Sequence, residues 1–381
     1  MLDVEGQVQP VLVVTTADRR LTLLDPSDSF KVIRSTSQVQ DSPILTYVVL
    51  FSRFILCGGM SGGLVLYDPR SDRVIAKRKD HSKYLVKLVA FDAENGNTRV
   101  VSAGWDRTIF VYEIVSEQGA QPQIKEPKAH INLATVPEAM ILSTDPDSGK
   151  RYLVLARRDS AFLYFYDLSQ LPAQDANRLI IPSVGKQNLA PYSNAWLSLA
   201  PAAMATCPAD PSRVAVATST VPHMKVLIVQ LIFPKEMGKP SNSVPGVPSP
   251  ISGHESALAN EGPQQSANPE LGAAVALQRR EDAAVLLHCN AFAPQTQFST
   301  PAIAWRPDGS GLWVNSDDGV VRGIEARTGK LRSSLTGHEP GSKIRCLWAG
   351  ELRIDAQGDA HEEWIISGGF DQRLIAWRPP T

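Results

Sequence analysis

Residues Gly337–Trp377 read GHEPGSKIRCLWAGELRIDAQGDAHEEWIISGGFDQRLIAW. A Gly-His pair opens the stretch. An apolar run follows at Ile344–Trp348, then a polar loop, then a second apolar run at Trp364–Ser367. A tight Gly-Gly-Phe-Asp turn leads into a third run that ends on Trp377. Short apolar runs bounded by turn residues are strands, and a tight turn between two of them makes a hairpin. His338, Ser367, Asp371 and Trp377 stand at fixed places in this pattern. In one sheet they can form a single buried chain of hydrogen bonds. The carboxylate accepts from the imidazole and from its own turn, the hydroxyl bridges, and the indole N–H donates to the hydroxyl. A buried polar network of this kind is stable only when every member is satisfied.

The arrangement resembles one WD repeat, the blade unit of a β-propeller, which pairs a GH signature with a four-stranded sheet. Trp377 is followed by Arg378, where that family usually has Asp. The motif of apolar strand, turn, apolar strand and acidic residue recurs along the chain. It appears at Val11–Asp25 (Asp18 in the turn), Phe54–Asp68 (Ser61), Arg99–Glu113 (Asp106), Arg151–Asp167 (Asp159 or Ser160) and Gly311–Glu325 (Asp318). A degenerate copy lies at Arg213–Phe233. In the third repeat Ser102, Asp106 and Tyr112 match the spacing of Ser367, Asp371 and Trp377, with His81 upstream. Inner strands are expected at Ile44–Leu50, Leu85–Phe91 and Ala302–Trp305. Outer strands are expected at Lys31–Arg34, Val74–Lys77, Leu179–Ile181, Val285–His288 and Leu331–Leu335.

The resemblance implies an all-β fold: a seven-bladed β-propeller of four-stranded antiparallel blades, one domain over residues 1–381. The residues ahead of the first hairpin leave room for one strand where two are usual, and the seventh repeat has no outer strand of its own. Ring closure is therefore an open question at this point. Residues 234–282 interrupt the fifth repeat. Pro234–Glu270 is rich in Pro, Ser, Gly, Asn and Gln and poor in branched apolar residues, so it is expected to be disordered. A short helix is expected at Leu271–Asp282. Because Val285–His288 reads as the outer strand of blade five, the insert belongs inside one blade.

Net charge is −1 with 38 basic and 39 acidic residues, which argues against a nucleic-acid or anionic-membrane binder. The cysteines Cys57, Cys207, Cys289 and Cys346 lie far apart without a CxxC, so they read as buried thiols of a reducing compartment. The N-terminus lacks an apolar signal core and no apolar run is long enough to span a bilayer. A soluble protein of the cytoplasm or nucleus is expected.

The motifs that could carry chemistry fail on context. Gly59–Gly63 spells GxSxG, but a strand follows where a nucleophile elbow needs a helix. Gly58–Gly63 lacks the Gly-Lys-Ser/Thr ending of a phosphate loop. No two histidines are four or fewer residues apart, so no local metal pattern exists. The expectation is a non-enzymatic scaffold without cofactor or metal, acting on proteins or peptides as a subunit of a larger complex. Its partner-binding residues are expected at the turn tips: Trp105 with Arg107, and Phe370 with Gln372. An alternative rests on Tyr67-Asp68-Pro69-Arg70, which resembles the WDxR signature by which substrate receptors of cullin-4 ubiquitin ligases dock their adaptor. In that reading Tyr67, Asp68 and Arg70 carry the docking.

Overall fold

The computed structural model describes residues 1–4, 6–93, 97–115, 121–169, 171, 178–191, 199–234, 269–353 and 361–378. A small N-terminal hairpin comes first, β1 (Leu2–Val4) with β2 (Gln7–Gln9). Seven sheets then follow in chain order. Blade one holds β3 (Leu12–Thr15), β4 (Leu21–Asp25) and β5 (Lys31–Thr36). Blade two holds β6 (Ile44–Leu50), β7 (Phe54–Gly59), β8 (Gly63–Asp68) and β9 (Arg73–Lys79). Blade three holds β10 (Leu85–Asp92), β11 (Thr98–Gly104), β12 (Thr108–Val115), the short β13 (Gln123–Ile124) and β14 (Ala129–Asn132). Blade four holds β15 (Pro137–Thr144), β16 (Arg151–Arg157) and β17 (Phe162–Asp167). After the intervening β18 (Leu179–Ile180), it ends with β19 (Gly185–Asn188). Blade five holds β20 (Pro201–Thr206), β21 (Arg213–Thr218), β22 (His223–Gln230) and, after helix α1 (Pro269–Ala283), β23 (Val285–Pro294). Blade six holds β24 (Ile303–Trp305), β25 (Gly311–Val314), β26 (Val320–Glu325) and β27 (Leu331–Thr336). Blade seven holds β28 (Ile344–Arg353), β29 (His361–Gly369) and β30 (Leu374–Trp377).

The expected seven-bladed propeller is therefore present. Neighbouring strands within each blade pair antiparallel. The central strands are apolar on both faces because each blade is sandwiched between two others; β7 and β8 are buried along their whole length. Successive side chains of a strand point to opposite faces, so neighbouring residues serve different cores. Ile55 and Cys57 pack with Leu21 and Leu23 of blade one, whereas Leu56 packs with Val100 and Tyr112 of blade three. Corresponding clusters join blades three and four, four and five, five and six, and six and seven. Among the described residues no such cluster joins blade seven to blade one.

Among the described residues blades one and seven have three strands each, without an inner strand in blade one or an outer one in blade seven, the two places that the sequence pattern left open. Two features depart from the expectation. Leu179–Ile180 does not close blade four. It pairs in parallel with Ala129–His130 at the outer edge of blade three, and Gly185–Asn188 takes the outer place in blade four. Ile181, next along the chain, buries into the core between blades three and four, which holds the segment there. Cys346, expected to be buried, is exposed on β28, whereas Cys57 and Cys207 are buried. The inner strands Pro137–Thr144 and Pro201–Thr206 escaped the sequence reading. Their mixed composition (PEAMILST, PAAMAT) lacks a clean apolar run.

The insert joins adjacent strands, β22 and β23, of blade five. Residues 235–268, most of the segment expected to be disordered, lie outside the described residues. Helix α1 docks by polar groups: Glu281 accepts from the Asn188 N–H (2.7 Å) and Gln278 donates to the Pro191 carbonyl (2.6 Å).

Candidate functional site

In blade seven the polar chain assembles as its residue types require. The indole N–H of Trp377 donates to Ser367 Oγ (3.1 Å), and Ser367 Oγ lies 2.8 Å from His338 Nε2. An indole only donates, so the serine hydroxyl is free to give its proton to the imidazole. His338 Nδ1 then donates to the Asp371 carboxylate at 2.9 and 3.0 Å. Asp371 also accepts the backbone N–H groups of Glu339 and Arg373. Burial would raise its pKa, but these donors together hold the carboxyl below its ordinary value.

Blade three repeats the arrangement. His81 Nδ1 lies 3.0 Å from Asp106, and its Nε2 lies 2.7 Å from Ser102 Oγ. Ser82 and Thr108 donate backbone N–H groups to Asp106. Its carboxyl is likewise depressed, against the effect of burial. The last link differs. Tyr112 donates to Asp80 (3.2 Å), which Arg78 clamps with two bonds. A glycine precedes the turn in both blades for the same reason: a Cβ on Gly104 would sit 2.4 Å from His81 Nδ1, and one on Gly369 would sit 2.7 Å from Asp371 Oδ1.

These networks fix the turns that carry the expected binding residues. Arg107 and Gln372 sit at φ +66° and +63°, the left-handed position of each turn. The preceding aromatic is anchored by its backbone: the Trp105 N–H donates to the Tyr84 carbonyl (2.9 Å), and that of Phe370 to the Lys343 carbonyl (3.0 Å). Both rings remain accessible, Trp105 at 38% and Phe370 at 62% exposure. Trp105 stacks on Tyr84 with 5.3 Å between centroids, and the Arg158 guanidinium lies 5.5 Å from its ring. Arg158 is itself paired with Glu138. The Arg345 guanidinium lies 4.4 Å over Phe370 and donates to the Phe298 carbonyl (3.2 Å) and Thr300 Oγ1 (2.6 Å). Phe298 is exposed too.

Each tip is thus an aromatic ring flanked by an arginine. Tyr84, Arg158, Arg345 and Phe298 were not in the sequence reading. Tyr84, Arg158 and Phe298 come from loops and Arg345 from β28, all distant in sequence from the turn residues, and no local pattern marks them. Trp105 and Phe370 lie on blades three and seven, in equivalent turns.

The alternative docking residues fall elsewhere. Tyr67 and Asp68 are buried. The Tyr67 hydroxyl donates to Asp72 (2.6 Å), and Asp68 accepts from Arg53 (2.7 Å), Ser71 and the Arg70 N–H. Arg70 is half-exposed and faces Asp3 of the N-terminal hairpin at 3.7 Å. Among the described residues, no group of three or more His, Cys, Asp or Glu side chains could hold a metal, and no helix is long and apolar enough to cross a membrane.

No curated protein matches the chain. The family model described as UCP007778, beta-propeller domain, matches residues 5–378, and the chain belongs to that family.

Proposed function

We propose that this propeller is a non-enzymatic scaffold of the WD-repeat type, which captures protein or peptide partners on the rim bearing Trp105 and Phe370. One observation carries the reading. Two turns, each locked by a His–Ser–Asp network, hold accessible aromatic rings beside arginines. Rings held out by rigid turns gain little from their own blade and are the residue types that dominate binding energy at interfaces. The His–Ser–Asp–Trp chain of blade seven and its partial copy in blade three support the WD-repeat assignment. The near-zero net charge supports protein partners in preference to nucleic acid or anionic membranes. Membership of a larger complex in the cytoplasm or nucleus completes the proposal.

The test is affinity capture from the native organism with Trp105→Ala combined with Phe370→Ala. Partners are expected to be lost while the urea midpoint stays near that of the parent protein. Retention of every partner by the folded double variant rules out this rim.

A further inference from the structure

A cleft of about 520 Å³ opens between the outer parts of blades three and four. Arg157 of β16 and Tyr164 and Tyr166 of β17 line it, with Asn132 of β14 at its border. The segment Ile180–Lys186, which leads from β18 into β19, forms the rest of the wall. Backbone bonds pin that segment on both sides. The Ile181 N–H donates to the His130 carbonyl (3.0 Å) of blade three, and the Val184 N–H to the Phe165 carbonyl (2.9 Å) of blade four. The cleft is therefore preformed.

Its charge is one-sided. Arg157 and Lys186 both line it, and none of the described lining residues is acidic. The acid that feels Lys186, Glu281 of α1, lies outside the cleft and accepts from the Asn188 N–H. Both cations rest on aromatic faces. The Arg157 guanidinium lies 3.6 Å from the Tyr164 ring centroid, and the Lys186 ammonium 4.8 Å from that of Phe162. Tyr164 is fixed in turn by Ser160, with 3.1 Å between their hydroxyls. An aromatic face positions a cation but accepts none of its in-plane N–H bonds. Arg157 shows the consequence: its Nε is buried and has no acceptor among the described residues. A guanidinium left unmatched in this way is costly, and its planar fork fits an oxyanion. The wall beside these cations is apolar. Ile180 and Val184 both line the cleft and are both exposed.

We infer that this cleft binds a small phosphate monoester with an apolar body. Two cations without an acid match a phosphate monoester, which carries about −1.5 to −2 charge at neutral pH. The phosphate sits on Arg157 and Lys186, and the apolar body lies against Ile180 and Val184. The volume is that of a small-molecule site, and the mix of apolar wall and a few convergent polar groups is the usual one. The site uses none of Trp105, Arg107, Phe370 and Gln372 and does not rest on the scaffold reading.

The test is isothermal titration calorimetry of the full chain with phenyl phosphate, inorganic phosphate and benzoate as probes. Phenyl phosphate is expected to bind once per chain. Inorganic phosphate lacks the apolar body and benzoate carries a single charge, so each should bind about tenfold more weakly. Arg157→Met keeps the apolar stem on Tyr164 and is expected to weaken phenyl phosphate about tenfold or more. Lys186 is exposed, so Lys186→Met keeps the fold, as its urea midpoint will show, and should weaken the same probe about fivefold. Arg332→Met removes an exposed cation of blade six and should leave the affinity unchanged. Three outcomes would each overturn the inference: no saturable heat with phenyl phosphate, equal affinity for benzoate or inorganic phosphate, or an equal loss from Arg332→Met and Lys186→Met.

Discussion

The rings of Phe30 and Trp364 meet edge to face across the seam between blades one and seven, with 5.5 Å between their centroids. Every other pair of adjacent blades shares a cluster of buried apolar side chains. Here an aromatic pair, with the Arg378 guanidinium 4.4 Å from the indole, takes that role. The seam is therefore expected to open first. Phe30→Ala should lower stability by about 1–2 kcal/mol and speed amide exchange in β3 and β30 before other strands. Urea melts with hydrogen-exchange mass spectrometry check this. Uniform exchange across all blades would show that the seam is no weaker than the rest.

Trp377 closes the polar chain of blade seven and also packs on the core shared with blade six. Trp377→Phe removes the N–H and part of the ring but keeps an aromatic side chain in place, so about 1–2 kcal/mol of stability should be lost. Trp377→Ala removes the packing as well and should cost about 2–4 kcal/mol. Gly337→Ala should disturb the same ring, because a Cβ there would lie 2.5 Å from Trp377 Cη2. Equal urea midpoints for Trp377→Phe and Trp377→Ala would mean that the indole is not packed as described.

Acid stability follows from the two turn aspartates. In the folded chain the carboxyls of Asp106 and Asp371 lie below the ordinary value of 3.8. A carboxyl with a depressed pKa stabilises fully above its unfolded value, and that contribution disappears as pH falls through the folded value. The urea midpoint should therefore hold steady from neutral pH down to about 4 and fall below it. Asp106→Asn should flatten the fall. An unchanged acid limb in that variant would remove Asp106 from the account.

The thiols should separate by reactivity. Burial pushes Cys57 up to about 12 and Cys289 up to about 11, and Cys346 is also raised. Cys346 is the exposed one of the four, so it should react first with a disulfide reagent, at a rate that still climbs past pH 9.0, the ordinary thiol value. Cys346→Ser should abolish the fast phase. If the fast phase survives, the face of β28 toward blade one is covered.

The sequence by itself determined the blade pattern, the turns and the His–Asp pairs. Val11–Asp25, Arg99–Glu113 and Gly311–Glu325 are legible because hairpin formation is local. Apolar runs and turn residues within fifteen or so positions decide the pairing. His338 with Asp371 and His81 with Asp106 are legible for the same reason, since each pair lies within one repeat. Only the tertiary structure decided which edge a short exposed strand joins. Leu179–Ile180 could serve blade three or blade four, and the burial of Ile181 between them settles it. Only the tertiary structure brought Arg158 to Trp105 and Arg345 to Phe370 and, among the described residues, gave Asp18 no histidine partner. These outcomes depend on contacts between residues distant in sequence. Their energies are set by what the assembled ring leaves uncovered, and no window of local pattern contains that information.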